Sequence, residues 1–136
     1  LIIVGPGSLY TSLLPNLLVH DVLAAVRNSR ALKLFVCNIA TQTGETDVYT
    51  CYDHVHALEE HVGEGVFNVI LCNDNYEGVL NDGSQFVRAD ERTLADTRTR
   101  CADLSELAEG AVGSTYVLTL KLVNDSRVPH VRLRRV

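Results

Sequence analysis

The stretch LIIVGPGSLYTSLLPNLL, residues 1–18, decides the fold class of this chain. Its first four residues are a continuous apolar run, which is typical of a strand covered on both faces of a parallel sheet. A glycine-proline-glycine turn follows, and hydroxyl side chains then lead into a second apolar run with helical character. The order of strand, glycine-rich turn and helix predicts the start of an α/β domain with a turn suited to holding a ligand.

Two further runs, residues 32–37 and 66–72, repeat the pattern of the first strand, because each is largely apolar rather than alternating and ends in a polar loop. Residues 22–28 and 51–62 lie between the strands and carry apolar side chains at helical spacing. The β-α-β-α-β order predicts an α/β layered domain whose mostly parallel sheet is flanked by helices.

Capping residues mark the ends of both predicted helices. Asp21 is predicted to cap the helix over residues 22–28. Thr50 and Asp53 have the spacing of a capping box for the helix over residues 51–62, and Gly63 is its expected end.

The pattern is weaker after residue 73. Residues 86–89 are predicted to form a short strand, residues 90–107 contain helix-like stretches, and residues 116–123 form the best late strand. The stretch 131–136 alternates apolar and basic residues, which predicts an edge strand with its arginines in solvent. An anion-binding tail is the less favoured alternative.

Composition limits the classes of protein to consider. A chain of 136 residues that is 46% hydrophobic is expected to form a single domain over residues 1–136. The net charge is −5, so there is no broad cationic field for nucleic acid. No apolar run is long enough for a membrane span, and no charged flank precedes the first apolar run, so no membrane segment or signal peptide is predicted. A cytoplasmic location is expected.

The sequence contains no Met, and Leu1 is not a small residue before which an initiator Met is normally removed. The chain is therefore interpreted as a fragment of a longer protein.

The four cysteines, Cys37, Cys51, Cys72 and Cys101, are too widely spaced for a paired-cysteine zinc motif. Three of them lie in or beside apolar runs. We interpret them as small core hydrophobes in preference to a disulfide or metal role.

The turn after the first strand is a candidate phosphate site. Ligands of open parallel sheets bind outside the carboxyl ends of the strands, and a turn without side chains lets the backbone approach an anion. Hydroxyl groups and the N–H groups of the following helical turn then face the phosphate oxygens. The candidate residues are Gly5, Gly7, Ser8, Tyr10, Thr11 and Ser12. A plain tight turn with Ser8 as a helix cap is the alternative.

The loop after the second strand, CNIATQTGET, is a candidate sugar or base site. It carries neutral donors and acceptors with one carboxylate, which suit a sugar or a uracil-like ring. A plain polar surface loop is the weaker alternative. The candidate residues are Asn38, Thr41, Gln42, Thr43, Glu45 and Thr46.

The two loops together resemble a known family. GPGSLYTSLLPNLL (residues 5–18) and CNIATQTGETD (residues 37–47) look like the signature stretches of the family that joins bacterial gluconeogenesis factors to the 2-phospho-L-lactate transferases of deazaflavin-coenzyme synthesis. The gluconeogenesis-factor branch is more similar. Two departures are Thr43, where the family often has Pro, and Val48, where Gly is usual.

The resemblance implies a Rossmann-like α/β protein about twice as long as this chain, which would be its C-terminal part. In the transferases, acidic residues of the other half hold magnesium. Mg is thus possible in the full-length protein, while this fragment is expected to have no cofactor and no metal site. Neither the glycine-rich nucleotide loop nor the Asp-Asp-Gly-Gly stretch of that half occurs here.

The resemblance also leaves two functions open. The gluconeogenesis-factor branch is thought to bind nucleotide sugars of the UDP-N-acetylglucosamine type and to act in carbon metabolism and cell shape. The alternative is magnesium-dependent 2-phospho-L-lactate transfer. Residues 5–12 contain no Lys or Arg, which favours binding over phosphoryl transfer in this fragment. No catalytic residue is assigned, and a homodimer is possible.

Three histidines, His54, His56 and His61, fall on the helix over residues 51–62. They lack the i, i+4 spacing of a pair of metal ligands, so they are expected to face solvent or to cap the helix.

Overall fold

The computed structural model describes residues 1–80, 83–104, 116–121 and 130–135. The chain forms two compact units, Leu1–Asp103 and Leu104–Val136, which are described separately. The first unit contains a four-stranded parallel sheet in the order β1-β2-β3-β4. Its strands are β1 (Ile2–Val4), β2 (Lys33–Val36), β3 (Val69–Asn73) and β4 (Thr99–Ala102). Its helices are α1 (Leu14–Leu17), α2 (His20–Asn28), α3 (Cys51–Val62) and α4 (Glu91–Ala95).

The sheet confirms the predicted α/β class. The parallel register pairs Ile3 with Leu34 and Phe35 with Ile70, and every residue of the central strands β2 and β3 is buried. Burial on both faces explains why these strands are largely apolar rather than alternating in the sequence. Because all four strands run the same way, their carboxyl ends lie at one edge of the sheet.

The first helical segment begins with a π-helical turn over Leu9–Leu13 and continues into α1. The next helix, α2, begins at His20, and Val19 occupies its N-cap without a side-chain hydrogen bond. The prediction that Asp21 caps this helix is therefore wrong. Asp21 lies in the first turn of α2, where its carboxylate interacts favourably with the helix dipole.

Helix α3 begins and ends as predicted. The Thr50 hydroxyl accepts from the Asp53 N–H, and the Asp53 carboxylate accepts from the Thr50 N–H at 2.9 Å. Its buried face includes Val55, Leu58 and Val62, which pack into the core beneath the sheet. The helix ends at Gly63, where φ is +82°.

The segment after residue 85 differs from prediction. Phe86 makes only an isolated antiparallel bridge with Ala40 in place of a short strand. The helix-like stretch contains the short helix α4, which Asp90 caps by accepting from the Thr93 N–H at 2.9 Å. The same stretch then contains β4, whose residues Thr-Arg-Cys-Ala are partly exposed, as suits a strand at the edge of the sheet.

The cysteine interpretation is correct only for Cys37, which is buried and free. Burial raises its pKa to about 12. Cys51 and Cys72 form a buried disulfide with a Cα–Cα distance of 6.6 Å, while Cys101 is free and exposed. The first turn of α3 packs against the carboxyl end of β3, and this tertiary contact brings together two cysteines 21 residues apart.

The second unit contains β5 (Tyr116–Lys121) and β6 (His130–Arg135), which pair antiparallel from Tyr116 with Arg135 to Lys121 with His130. Both predicted strands are thus present. The predicted solvent position of the terminal arginine side chains lies outside the described residues.

In the ranges described above, no single helix is long and apolar enough to cross a membrane. The bent pair Leu9–Leu17 and His20–Asn28, with an angle of 74°, meets that test only when the two helices are taken together.

Candidate functional site

Two loops meet at the carboxyl edge of the sheet. The first loop (residues 5–12) follows β1, and the second loop (residues 37–49) follows its parallel neighbour β2. The N–H of Gly7 donates a hydrogen bond to Oδ1 of Asn38 at 2.9 Å. The structure therefore brings the two sequence-predicted loops side by side, as the connectivity of a parallel sheet requires.

Ser8 is the main link between the loops. Its hydroxyl lies 2.7 and 2.8 Å from the two carboxylate oxygens of Glu45, to which it donates. The same oxygen accepts from the N–H of Thr11 at 3.2 Å and contacts the Thr11 hydroxyl. Ser8 is thus both the cap of the π-helical turn, as the alternative interpretation holds, and the partner of the second loop's carboxylate.

A pair of tyrosines makes a second link. The hydroxyls of Tyr10 and Tyr49 are 2.9 Å apart. This hydrogen bond, with partial burial, raises the pKa of Tyr10 to about 12. The raised pKa keeps the Tyr10 phenol neutral, so its hydroxyl can both donate and accept hydrogen bonds.

Gly5 supports the close packing of the two strands. Its φ is +84°, and a Cβ at this position would overlap the carbonyl oxygen of Val36 on β2. Gly7 lies outside the left-handed region, and a Cβ there would meet the Leu13 side chain at 3.4 Å. Of the two glycines, Gly5 is the one that the backbone requires.

The second loop uses several of its predicted side chains to hold its own shape. Thr41 and Thr46 are buried, and their hydroxyls accept from the N–H groups of Gln85 and Gln42, each at 2.9 Å. The Gln42 side chain is exposed and Glu45 is half-buried against the first loop. The exposed polar groups of the first loop are Tyr10, Thr11 and Ser12. Ligand-binding roles for these residues stay predictions.

The two-loop surface is acidic, because the second loop carries Glu45 and Asp47, and Glu45 is the carboxylate beside Ser8. No Lys or Arg lies in the first loop, so the carboxylate beside Ser8 has no cation from that segment. Two unit negative charges 4 Å apart near a protein surface repel by about 4 kcal/mol. The geometry therefore suits sugar hydroxyls, which can donate to Glu45, better than a bare phosphate at Ser8. Within the described ranges, no group of three or more His, Cys, Asp or Glu side chains forms a candidate metal site.

Val48 has a strained backbone. Its φ is +60°, in the left-handed region that disfavours a β-branched residue. This is the position at which the resembling family usually has Gly. The side chain of Val48 is 77% exposed, so burial contributes little to offset the strain.

Sequence reasoning missed a groove on the outer side of the second loop. Its volume is about 390 Å³, and it is lined by Thr41, Val48, Tyr49, Thr50, Gln85, Phe86 and Arg88. Gln85, Phe86 and Arg88 lie about forty positions after the other lining residues. The bridge between Ala40 and Phe86 brings them to the groove. No spacing in the sequence signals that contact.

The expectation for the histidines is wrong for His54, which is 1% exposed. Its Nδ1 lies 2.9 Å from the carbonyl oxygen of Thr50, and its ring packs edge-on against Tyr49. Its Nε2 has no hydrogen-bond partner among the residues that the structure describes. Burial lowers the pKa of His54. It shares the inner face of α3 with Leu58, whereas His56 and His61 are exposed as expected.

Both loops lie within the part of the chain that matches a known family. The sequence profile of the family described as 2-phospho-L-lactate transferase CofD matches residues 1–105. The gluconeogenesis factor of Halalkalibacterium halodurans is 52% identical over 72 residues, which are 53% of this chain and 22% of that protein. The gluconeogenesis factor of Bacillus subtilis is 55% identical over 73 residues, 54% of this chain and 23% of that protein.

The structure has the same fold as a solved relative. A crystal structure of a UPF0052 family protein from Bacillus halodurans superposes with a TM-score of 0.66 at 38% identity, covering 75% of this chain and 36% of that chain. The present chain therefore spans well under half the length of these relatives, and its placement in their C-terminal part stays a prediction. Because the profile match covers more than half of the chain, this protein belongs to the CofD family, together with relatives named gluconeogenesis factor.

Proposed function

We propose that this chain forms one wall of a binding site for a phosphate-bearing nucleotide sugar of the UDP-sugar type. On this proposal it is a regulatory binding module of the gluconeogenesis-factor kind, linked to carbon metabolism and cell shape. The observation that carries the proposal is the hydrogen bond from Ser8 to Glu45, which joins the two polar loops at the ligand-binding edge of a parallel sheet.

The chemistry of the wall supports a sugar ligand. Hydroxyl-rich ligands are recognised by directed hydrogen bonds to carboxylates, amides and hydroxyls. Glu45 accepts, while Thr11 and the Tyr10–Tyr49 pair both donate and accept. The exposed amide of Gln42 adds a further donor and acceptor on the second loop.

The alternative function is 2-phospho-L-lactate transfer, which the name of the matching family supports. Such transfer requires a metal or cation beside the transferred phosphoryl group. Mg bound by the full-length protein would supply it, and we expect the 136-residue chain alone to show no transfer. A cytoplasmic location and a possible homodimer remain predictions.

The test is titration of the chain with UDP-N-acetylglucosamine, followed by ligand-observed NMR, beside a magnesium-dependent transfer assay. We expect saturable binding without turnover. Thr11→Val removes one exposed hydroxyl with little change of shape, and it should weaken binding about fivefold, the value of one neutral hydrogen bond. Thr97→Val makes the same change on the exposed turn before β4 and should leave binding unchanged. Turnover by the chain, or equal binding by both variants, would contradict the proposal.

A further inference from the structure

The groove on the outer side of the second loop carries a cation that the two-loop surface lacks. The guanidinium of Arg88 lies 4.6 Å from the centre of the Tyr76 ring. It forms no ion pair with a carboxylate in the part of the chain that the structure describes. Arg88 is therefore available to pair with an anion that enters the groove.

Two other arginines of the first unit, Arg92 and Arg98, already pair with carboxylates. Arg92 pairs with Asp53 and Asp90 at 3.1 and 2.8 Å. Arg98 pairs with Glu59 and Asp96, each at 2.6 Å. Because these guanidinium groups already contact carboxylates, an incoming anion gains less from them than from Arg88.

The rest of the groove suits the groups that accompany a phosphate in a nucleotide. Tyr49 and Phe86 provide aromatic surface, and Thr50 and Gln85 provide polar side chains. An aromatic ring beside an arginine is a common setting for a stacked base or a planar anion. The groove volume of about 390 Å³ is within the usual range for a small-ligand site.

Tyr49 connects the groove to the two-loop surface. It lines the groove, and its hydroxyl contacts Tyr10 of the first loop. A ligand lying across Tyr49 would place its hydroxyl-rich end toward Glu45 and its anionic end toward Arg88.

We propose that the groove beside Arg88 binds the phosphate-bearing end of the nucleotide sugar, a placement that rests on the proposed function. The sequence-based expectation put the phosphate at Gly5–Ser12, where the Glu45 carboxylate opposes it. In the present assignment, the sugar hydroxyls contact the first loop and Glu45. The phosphate-bearing end lies on the other side of the second loop, beside Arg88.

The first experiment locates an anion without any substitution. Inorganic pyrophosphate is added to the ¹⁵N-labelled chain, and amide chemical shifts are followed. We expect saturable shifts at residues 48–50 and 85–88, with residues 7–12 unaffected. Shifts confined to residues 7–12 would overturn the proposal.

The second experiment tests the cation. Arg88→Gln should weaken binding of pyrophosphate and of UDP-N-acetylglucosamine at least tenfold, the loss expected for a hydrogen bond to a charged group. Arg88→Lys should recover part of the affinity because it keeps the charge. Arg92→Gln is the matched control, and it should change affinity less than twofold. Binding of N-acetylglucosamine alone should be the same in all three variants.

The outcomes separate this proposal from the proposed function. If UDP-N-acetylglucosamine binds the Arg88→Gln variant as tightly as the unaltered chain, the groove assignment is overturned while the nucleotide-sugar function stands. If pyrophosphate binds in an Arg88-dependent way and UDP-N-acetylglucosamine does not bind, the groove is an anion site and the nucleotide-sugar function fails. If neither probe binds the unaltered chain at any concentration, both proposals fail.

Discussion

Replacing Val48 by Gly should stabilise the protein. A left-handed backbone costs an L-residue about 1–2 kcal/mol, and Gly does not pay this cost. Gly gains about 0.5–1 kcal/mol more conformational entropy in the unfolded chain, which offsets part of the benefit. The Val48 side chain is mostly exposed, so its removal forfeits little buried area. The net expectation is a gain of about 1 kcal/mol in the free energy of unfolding, or roughly 4 °C in Tm for a chain of this size.

Urea unfolding at 25 °C, followed by circular dichroism, measures this change. Val79→Gly is the matched control, because Val79 is also exposed and its φ lies outside the left-handed region. That variant should lose about 0.5–1 kcal/mol through unfolded-state entropy alone. The two substitutions should therefore change the free energy of unfolding in opposite directions. If Val48→Gly lowers the midpoint as Val79→Gly does, then Val48 is not strained and the reasoning fails.

Three further changes should alter stability by separate mechanisms. Replacing Cys51 and Cys72 by Ala opens a 21-residue loop and should cost about 3 kcal/mol, measured by urea unfolding without reductant. His54→Gln should flatten the pH dependence of Tm below about pH 6.5, because the buried imidazole has a lowered pKa and the unfolded chain takes up the proton first, so stability falls as pH decreases. Gly5→Ala should cost more than 2 kcal/mol in chemical unfolding, because its Cβ would overlap the Val36 carbonyl oxygen.

Each of these changes has a matched control. Cys101→Ser alters an exposed free thiol and should leave the urea midpoint unchanged. His56→Gln makes the same replacement at an exposed position of the same helix and is the matched control. Gly44→Ala also places Ala at positive φ, but into open space, so it should cost only about 1 kcal/mol. Equal effects in a variant and its control would contradict the corresponding mechanism.

The features that could be predicted from the sequence are local or periodic. The buried strands β2 and β3 are largely apolar runs, and the capping box of α3 needs only Thr50 and Asp53 at the right spacing. The meeting of the two loops follows from the handedness of parallel connections. Strand β4 was not predicted, because its Thr and Arg residues give no apolar run at the edge of a sheet.

The features that could not be predicted depend on distant contacts. The disulfide requires α3 to pack on the end of β3, and the burial of His54 requires knowing which face of α3 meets the core. The Arg88 groove arises where the segment after residue 83 crosses the second loop. The hydrogen bonds by which the hydroxyls of Thr41 and Thr46 hold the second loop also depend on its folded shape, and the ligand-binding roles of these residues stay predictions.

The position of β1 affects how this chain behaves when it is concentrated. Among the described residues no strand pairs with its outer side, and Leu1 and Ile3 are exposed there. Free backbone groups beside apolar side chains are a template on which a second molecule can add a strand. The apparent molar mass from light scattering should therefore rise with protein concentration at constant temperature, and Ile3→Lys should suppress that rise by placing a charge on the edge. Solubility of the chain would then depend on one short strand more than on its net charge.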